Sequence, residues 1–174
     1  MGDYIGAYRA MEEEYKAGRL RAIGVSKFYP DRLCDLCKTV EIMPMVNQVE
    51  LHPFSQQGDA LELMKEYGVM PEAWGPFDEG NYGIFTHAVL TEIGKKYGKS
   101  AAQVALRRNV QRGVVIIPKS THKDRIEQNF DIRGFTLSDE DMAEIAKLDT
   151  GRSEIVNHHN PKFVKRLHGL KIHE

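Results

Sequence analysis

Four short runs of β-branched and apolar residues, each followed by a helical pattern, constrain this chain more than anything else in it. RAIGVS at 21–26, MVNQVEL at 45–51, VMPEAW at 69–74 and VVII at 114–117 read as strands. A helix follows the first at 30–40, with Pro30 near its first turn, where a missing N–H costs nothing. Ala60, Leu63, Met64 and Tyr67 mark the next, closed by Gly68. Two more run at 86–97 and 100–111, and after the last strand come helices at 122–130 and 138–148, the latter opened by a Ser138–Asp141 capping box. Parallel strands need such crossovers, so the alternation predicts βα units. Four units make a small open sheet or half of an eight-stranded barrel. A helix at 3–17, spaced by Tyr4, Tyr8, Met11 and Tyr15 and ended by Gly18, comes first with no strand before it. That abrupt start hints at a missing N-terminal part. Pro71 is awkward inside the third strand because it has no N–H. Residues 75–83 form a Gly/Pro-rich loop, and after Gly151 an irregular tail is expected.

Bulk properties narrow the function classes. The 174 residues are 41% hydrophobic and 28% charged, which suits one soluble globular domain. A formal net charge of -1 supplies no basic field for nucleic acid or anionic lipid. No apolar run approaches the roughly 18 residues of a membrane span, and no signal peptide precedes Asp3. The two cysteines, Cys34 and Cys37, form a CxxC inside a helical pattern with no second pair to complete a zinc site. Helix packing is the expected role, and a cytoplasmic location follows from this cysteine usage. His158 and His159 lack a third ligand at suitable spacing, so no metal is expected.

In parallel βα architectures, chemistry gathers where the strands end. Here those ends carry Ser26 and Lys27, then Gln48, Glu50 and His52, then 74–77, then Lys119 and Ser120. Each residue alone fits a structural role, Trp74 by packing the core and Gln48 by satisfying backbone; together they argue for a site. The segment GVVIIPKSTHKDRIEQNF, 113–130, sharpens the point. Pro118 stops its strand, and Thr121 is a plausible N-cap for the next helix, with Asp124 as capping-box partner. Lys119, Lys123 and Arg125 gather at that helix start, where free N–H groups and the dipole ordinarily disfavour cations. Either the turn is a solvated charged one offset by Asp124, or an anion such as phosphate sits among the cations.

With these residues placed, GRLRAIGVSKF, VNQVELHP, EAWGPF, KYGKSAAQVALR and VVIIPKSTHKDRIEQNF resemble, in order and spacing, the C-terminal half of the aldo-keto reductases, nearest the bacterial diketogluconate-reductase-like branch. The resemblance covers 3–150. It implies an α/β fold, a partial (half) TIM (β/α)8 barrel of about four parallel strands with flanking helices, over residues 1–151, then a tail at 152–174. It implies oxidoreductase chemistry: hydride transfer from NADPH to an aldehyde or ketone. Lys119, Ser120 and Arg125 would hold the 2′-phosphate of NADP, and Gln128 and Asn129 would approach the adenine. Trp74 would stack on the nicotinamide, Ser26 and Gln48 would bond its carboxamide, and the loop from Pro76 and Phe77 to Gly80 would lie near the pyrophosphate.

The family's proton-donating tyrosine, with its lysine, aspartate and histidine, belongs to the first half of that barrel. No catalytic residue is therefore expected here, and His52, within LHP, is expected to be structural. Lys27 stands where the family has an asparagine, Arg108 falls on an apolar stripe where close relatives often have tryptophan, and Arg133 and Gly134 disturb a usually apolar stretch. Three readings follow: a reductase half that needs an N-terminal half for turnover of a small carbonyl substrate; a non-catalytic nucleotide-binding or structural half-barrel; or a truncated product with no function of its own. Exposed sheet edges make self-association, as a dimer or larger oligomer, the expected partner behaviour of such a half-barrel.

Overall fold

The computed structural model describes residues 3–153, 155 and 160–170. Its elements are α1 (Tyr4–Lys16), β1 (Val25–Ser26), α2 (Pro30–Thr39), β2 (Val46–Glu50), α3 (Gly58–Glu66), β3 (Met70–Trp74), α4 (Ala88–Tyr97), α5 (Ala101–Gln111), β4 (Val115–Ile116), α6 (Lys123–Phe130), α7 (Asp139–Ala146) and α8 (Pro161–His168). The four strands form one parallel sheet in the order β1-β2-β3-β4. This is the predicted half of an eight-stranded barrel, laid out in sequence order.

Alternation along the strands divides the sheet into two faces. One carries Val25, Asn47, Val49, Ala73 and Ile116 in register. Val25, Val49, Ala73 and Ile116 pack with Leu33 and Cys37 of α2 and with Ala60 and Met64 of α3, so this face looks onto the helices. Cys37 is thus a core residue, and Cys34 lies 3.5 Å from the Tyr67 hydroxyl. A second cluster joins α4, α5 and α7 through Leu90, Ile93, Val104, Ala105 and Ile145. The other sheet face carries Gln48, Glu72, Trp74 and Val115.

Several sequence expectations need correction. Pro71 does not interrupt β3: it pairs in register with Asn47. The Met70 N–H bonds the Met45 carbonyl, and the Leu51 N–H bonds the Trp74 carbonyl, so positions 70, 72 and 74 serve β2. Pro71 faces the opposite side, below Glu72, where the ladder to β4 begins, and its missing N–H removes no ladder bond. The helix at 122–130 is capped by His122 rather than Thr121, and Asp124 closes no capping box. The Ser120 hydroxyl accepts from the His122 N–H at 3.1 Å, a local turn bond that shifts the helix start by one residue. The tail is not wholly irregular, because α8 forms within it. Asn160 accepts from the Lys162 N–H at 2.9 Å, Pro161 occupies the first turn, and Lys165, Arg166 and His168 complement the last turn. His158 and His159 lie outside the described residues.

Candidate functional site

The C-terminal ends of β1, β2 and β3 bring three of the expected residues onto one face. Ser26 and Gln48 are partners in the β1–β2 register, and the Ser26 hydroxyl donates to the Gln48 carbonyl at 3.2 Å. The Gln48 side-chain amide donates to Glu72 Oε1 at 2.5 Å, across to β3. Trp74 ends the same row of β3, and its Nε1 is buried with no partner among the described residues. Lys27 leaves β1 with φ +58°, its N–H held by the Gln48 carbonyl at 2.8 Å. This left-handed turn swings its side chain over the indole, with Nζ 4.6 Å from the ring centroid.

The loop after β3 is tightly wound. Asp78, Glu79 and Tyr82 all hold positive φ, between +50° and +51°, without being glycine. Such conformations carry strain and persist where surroundings enforce them. One restraint is a buried cluster: His52 Nε2 lies 3.1 Å from Glu50 Oε1 and 3.4 Å from Asp78 Oδ1. His52 Nδ1 accepts from the Phe54 N–H at 3.3 Å, so the neutral ring carries its proton on Nε2. Ser153 donates its hydroxyl to Glu50, and Ile155 sits against Gly75. The cluster therefore ties β2, this loop and the segment after α7 together, and His52 has the structural place expected of it. Pro76, buried, and Phe77 carry the chain from the strand end into the loop.

From Phe77 onward the loop borders a cavity of about 330 Å³. Lys119, Ser120, Arg125, Gln128 and Asn129 line it, joined by Phe85, Ser100 and Ala102. The start of α5 and the first two turns of α6 thus meet at one space, each bringing the partial positive charge of a helix N-terminus. Among the described residues, neither Lys119 nor Arg125 has a carboxylate within ion-pairing distance. Lys123 is instead spent on Glu127, 3.8 Å away. Helix α6 is held from its far end: Gln103 Nε2 donates to the Gln128 carbonyl at 3.2 Å and the Asp131 carbonyl at 2.8 Å. Phe77 and Phe85 contact each other in a tilted pair, 5.4 Å between centroids, and add an aromatic edge to the cavity. Two unpaired cations, a hydroxyl, two side-chain amides and aromatic rings suit an anionic, ring-bearing ligand.

The expected residues fall into two groups. Phe77, Lys119, Ser120, Arg125, Gln128 and Asn129 share the cavity, while Ser26, Gln48 and Trp74 sit at the strand ends with Pro76 between the groups. Sequence reasoning missed Phe85, Ser100 and Ala102; an aromatic in the Gly-rich loop and a capping Ser at the α5 start were the available signals. A larger cleft of about 540 Å³ opens elsewhere, between Tyr29, residues 55–60 and residues 149–153, and contains none of the expected residues. Among the described residues, no group of three or more His, Cys, Asp or Glu is arranged to hold a metal. No helix of the described residues is long and apolar enough to cross a membrane.

Comparison with known proteins gives a consistent outcome. Residues 3–150 match the Aldo/keto reductase family. The chain is 45% identical over 147 residues to a 9,11-endoperoxide prostaglandin H2 reductase of Trypanosoma cruzi, covering 84% of this chain and 52% of that protein. It is 47% identical over 146 residues to a glyoxal reductase of Bacillus subtilis, with coverage of 84% and 52%. The chain thus spans about half the length of these relatives. Among solved structures, an aldo-keto reductase from a Medee basin deep-sea metagenome library superposes with a TM-score of 0.86 at 36% identity, covering 92% of this chain and 60% of that one. An aldo-keto reductase (AKR2E5) complexed with NADPH gives a TM-score of 0.82 at 34% identity, with coverage of 87% and 49%.

Proposed function

Because the chain belongs to the aldo/keto reductase family, we propose that it is the NADP(H)-holding C-terminal half of a reductase that converts an aldehyde or ketone to the alcohol. The observation that carries this is the cavity at the start of α6, where Lys119 and Arg125 have no carboxylate partner among the described residues. Arg125 would grip the 2′-phosphate of NADP in a planar two-point contact, Lys119 would add a point charge, and the Ser120 hydroxyl would bond an oxygen. NAD lacks that phosphate, so these residues give the preference for NADP. Gln128 and Asn129 would meet the adenine edge, and Ser26, Gln48 and Trp74 would seat the nicotinamide. The bound cofactor supplies the hydride.

Reduction also needs a proton for the developing alkoxide. In the family resemblance that donor belongs to the first half of the barrel, and we assign no catalytic residue to this chain. Turnover would then need an N-terminal half. A second reading is a non-catalytic nucleotide-binding or structural half-barrel that pairs with itself. It is favoured by Met70, Val115 and Ile117, which leave 48%, 42% and 48% of their surface exposed along the sheet.

Two measurements test these readings. Trp74 is the sole tryptophan, so its fluorescence reports NADPH titration. Binding is expected for the wild-type chain and is expected to weaken at least about tenfold in Arg125→Ala, the loss of one charge-assisted contact. Indifference to millimolar NADPH would sink the cofactor reading. NADPH oxidation with a simple aldehyde is expected to be absent for the isolated chain; turnover would place a proton donor within it.

A further inference from the structure

The side chain over Trp74 has a consequence for which form of the cofactor is held. Lys27 Nζ lies 4.6 Å from the indole centroid. Its backbone is pinned by the 2.8 Å bond to the Gln48 carbonyl, in the left-handed conformation that aims it across the sheet end. Among the described residues, no carboxylate lies within ion-pairing distance of this ammonium. The nearby Glu72 accepts from the Gln48 amide instead, and Glu50 accepts from Ser153 and faces His52. Among the described residues, the indole face is thus the contact that Lys27 makes with its charge, and a flat ring stacked on that face of Trp74 would lie beside it.

Resting on the cofactor reading above, we propose that Lys27 is a specificity-determining residue that selects the reduced over the oxidised cofactor. The oxidised nicotinamide ring carries a formal positive charge and the dihydronicotinamide is neutral. An ammonium beside that ring opposes the first and is indifferent to the second. A like-charge pair about 4 Å apart discriminates about fivefold in bulk water. The same residue would favour release of the oxidised product from a completed enzyme.

Calorimetric titration of the full chain tests this with three probes, NADPH, NADP+ and 2′,5′-ADP, in the wild type, Lys27→Met and Lys27→Arg. The wild type is expected to bind NADPH about fivefold more tightly than NADP+. Lys27→Met is expected to bring that ratio close to one with 2′,5′-ADP affinity unchanged, and Lys27→Arg is expected to keep it. A wild-type ratio of one, or a ratio untouched by Lys27→Met, overturns the role of Lys27 while 2′,5′-ADP binding still upholds the phosphate site. Failure of 2′,5′-ADP to bind the wild type overturns both. Lys27→Arg keeps the charge, so if Lys27→Met does not fold, a ratio lost in Lys27→Arg overturns the charge argument and a ratio kept supports it.

Discussion

Arg108 projects from α5 into a space where only 3% of it remains exposed. One Nη donates to the Gln56 side chain, while Nε and the other Nη have no partner among the described residues. Burial, and the neighbouring Arg112 guanidinium after it, pull its pKa down from 12.5 to about 10. The sequence already marked the position as an apolar stripe, and the structure adds that no remodelling exposes it. At neutral pH the guanidinium is charged in both folded and unfolded chains, so folding bears the full desolvation cost. That cost shrinks only as pH rises through about 10 toward the unfolded value. Arg108→Met is therefore expected to stabilise the chain by about 1–4 kcal/mol at pH 7, with Gln56 left to find water. The advantage should hold through the neutral range and narrow above pH 10. Denaturant unfolding at pH 7 and pH 10.5 measures both; a destabilised variant would mean that Arg108 is paired in solution. Arg133, another departure at the sequence level, causes no comparable problem, since it lies over the Phe130 ring at 5.6 Å on the surface.

Among the elements, α6 depends on one side chain of α5. Gln103 closes the capping box with Ser100 at its own helix start and also bonds the Gln128 and Asp131 carbonyls at the end of α6. Helix α6 has no buried residue of its own, so little apolar contact holds it in place. Gln103→Ala is expected to cost about 1–3 kcal/mol, because two hydrogen bonds to the end of α6 and the capping-box bond are lost together. Amides of residues 123–130 should show the largest gain in hydrogen exchange, and NADPH affinity should fall with them. Equal protection in the variant would show that α6 is held by other contacts. The existence and order of the helices and strands were legible from periodicity and capping residues. Their edges were not: β1 and β4 are each two residues long because pairing partners, and not β-branched content, set where a ladder begins and stops. Helix α8 was overlooked although its signals were present: Asn160 and Pro161 are ordinary start residues, and Phe163, Val164 and Leu167 recur at helical spacing.

At the scale of the whole molecule, the sheet of the described residues ends at β1 on one side and β4 on the other, and Met70, Val115 and Ile117 are about half exposed. Val115 sits opposite Glu72 on the face turned from the helices. Two free edges and an uncovered apolar strip are what a partner would cover, either a second copy or the complementary half. Sedimentation is expected to find self-association that strengthens with concentration. Ile117→Lys is expected to weaken it without lowering the melting temperature, since the side chain is already half in water. A strictly monomeric wild type at high micromolar concentration would remove self-association from the proposal.

Strand–helix alternation made the parallel βα units readable from residues alone, and the run at 113–130 did the same for the cations at the start of α6, because both are local patterns with a local physical cause: burial periodicity and helix-terminus electrostatics; that the units form half of a barrel came from the family resemblance. Contacts between segments far apart in the chain were another matter. Placement of Lys27 on Trp74, of Phe85 and Ser100 beside the cations, and of Arg108 against Gln56 joins residues 19 to 52 positions apart. Only packing decides such neighbours, since each side chain takes the position that the summed burial and hydrogen bonding of all the elements leave open to it.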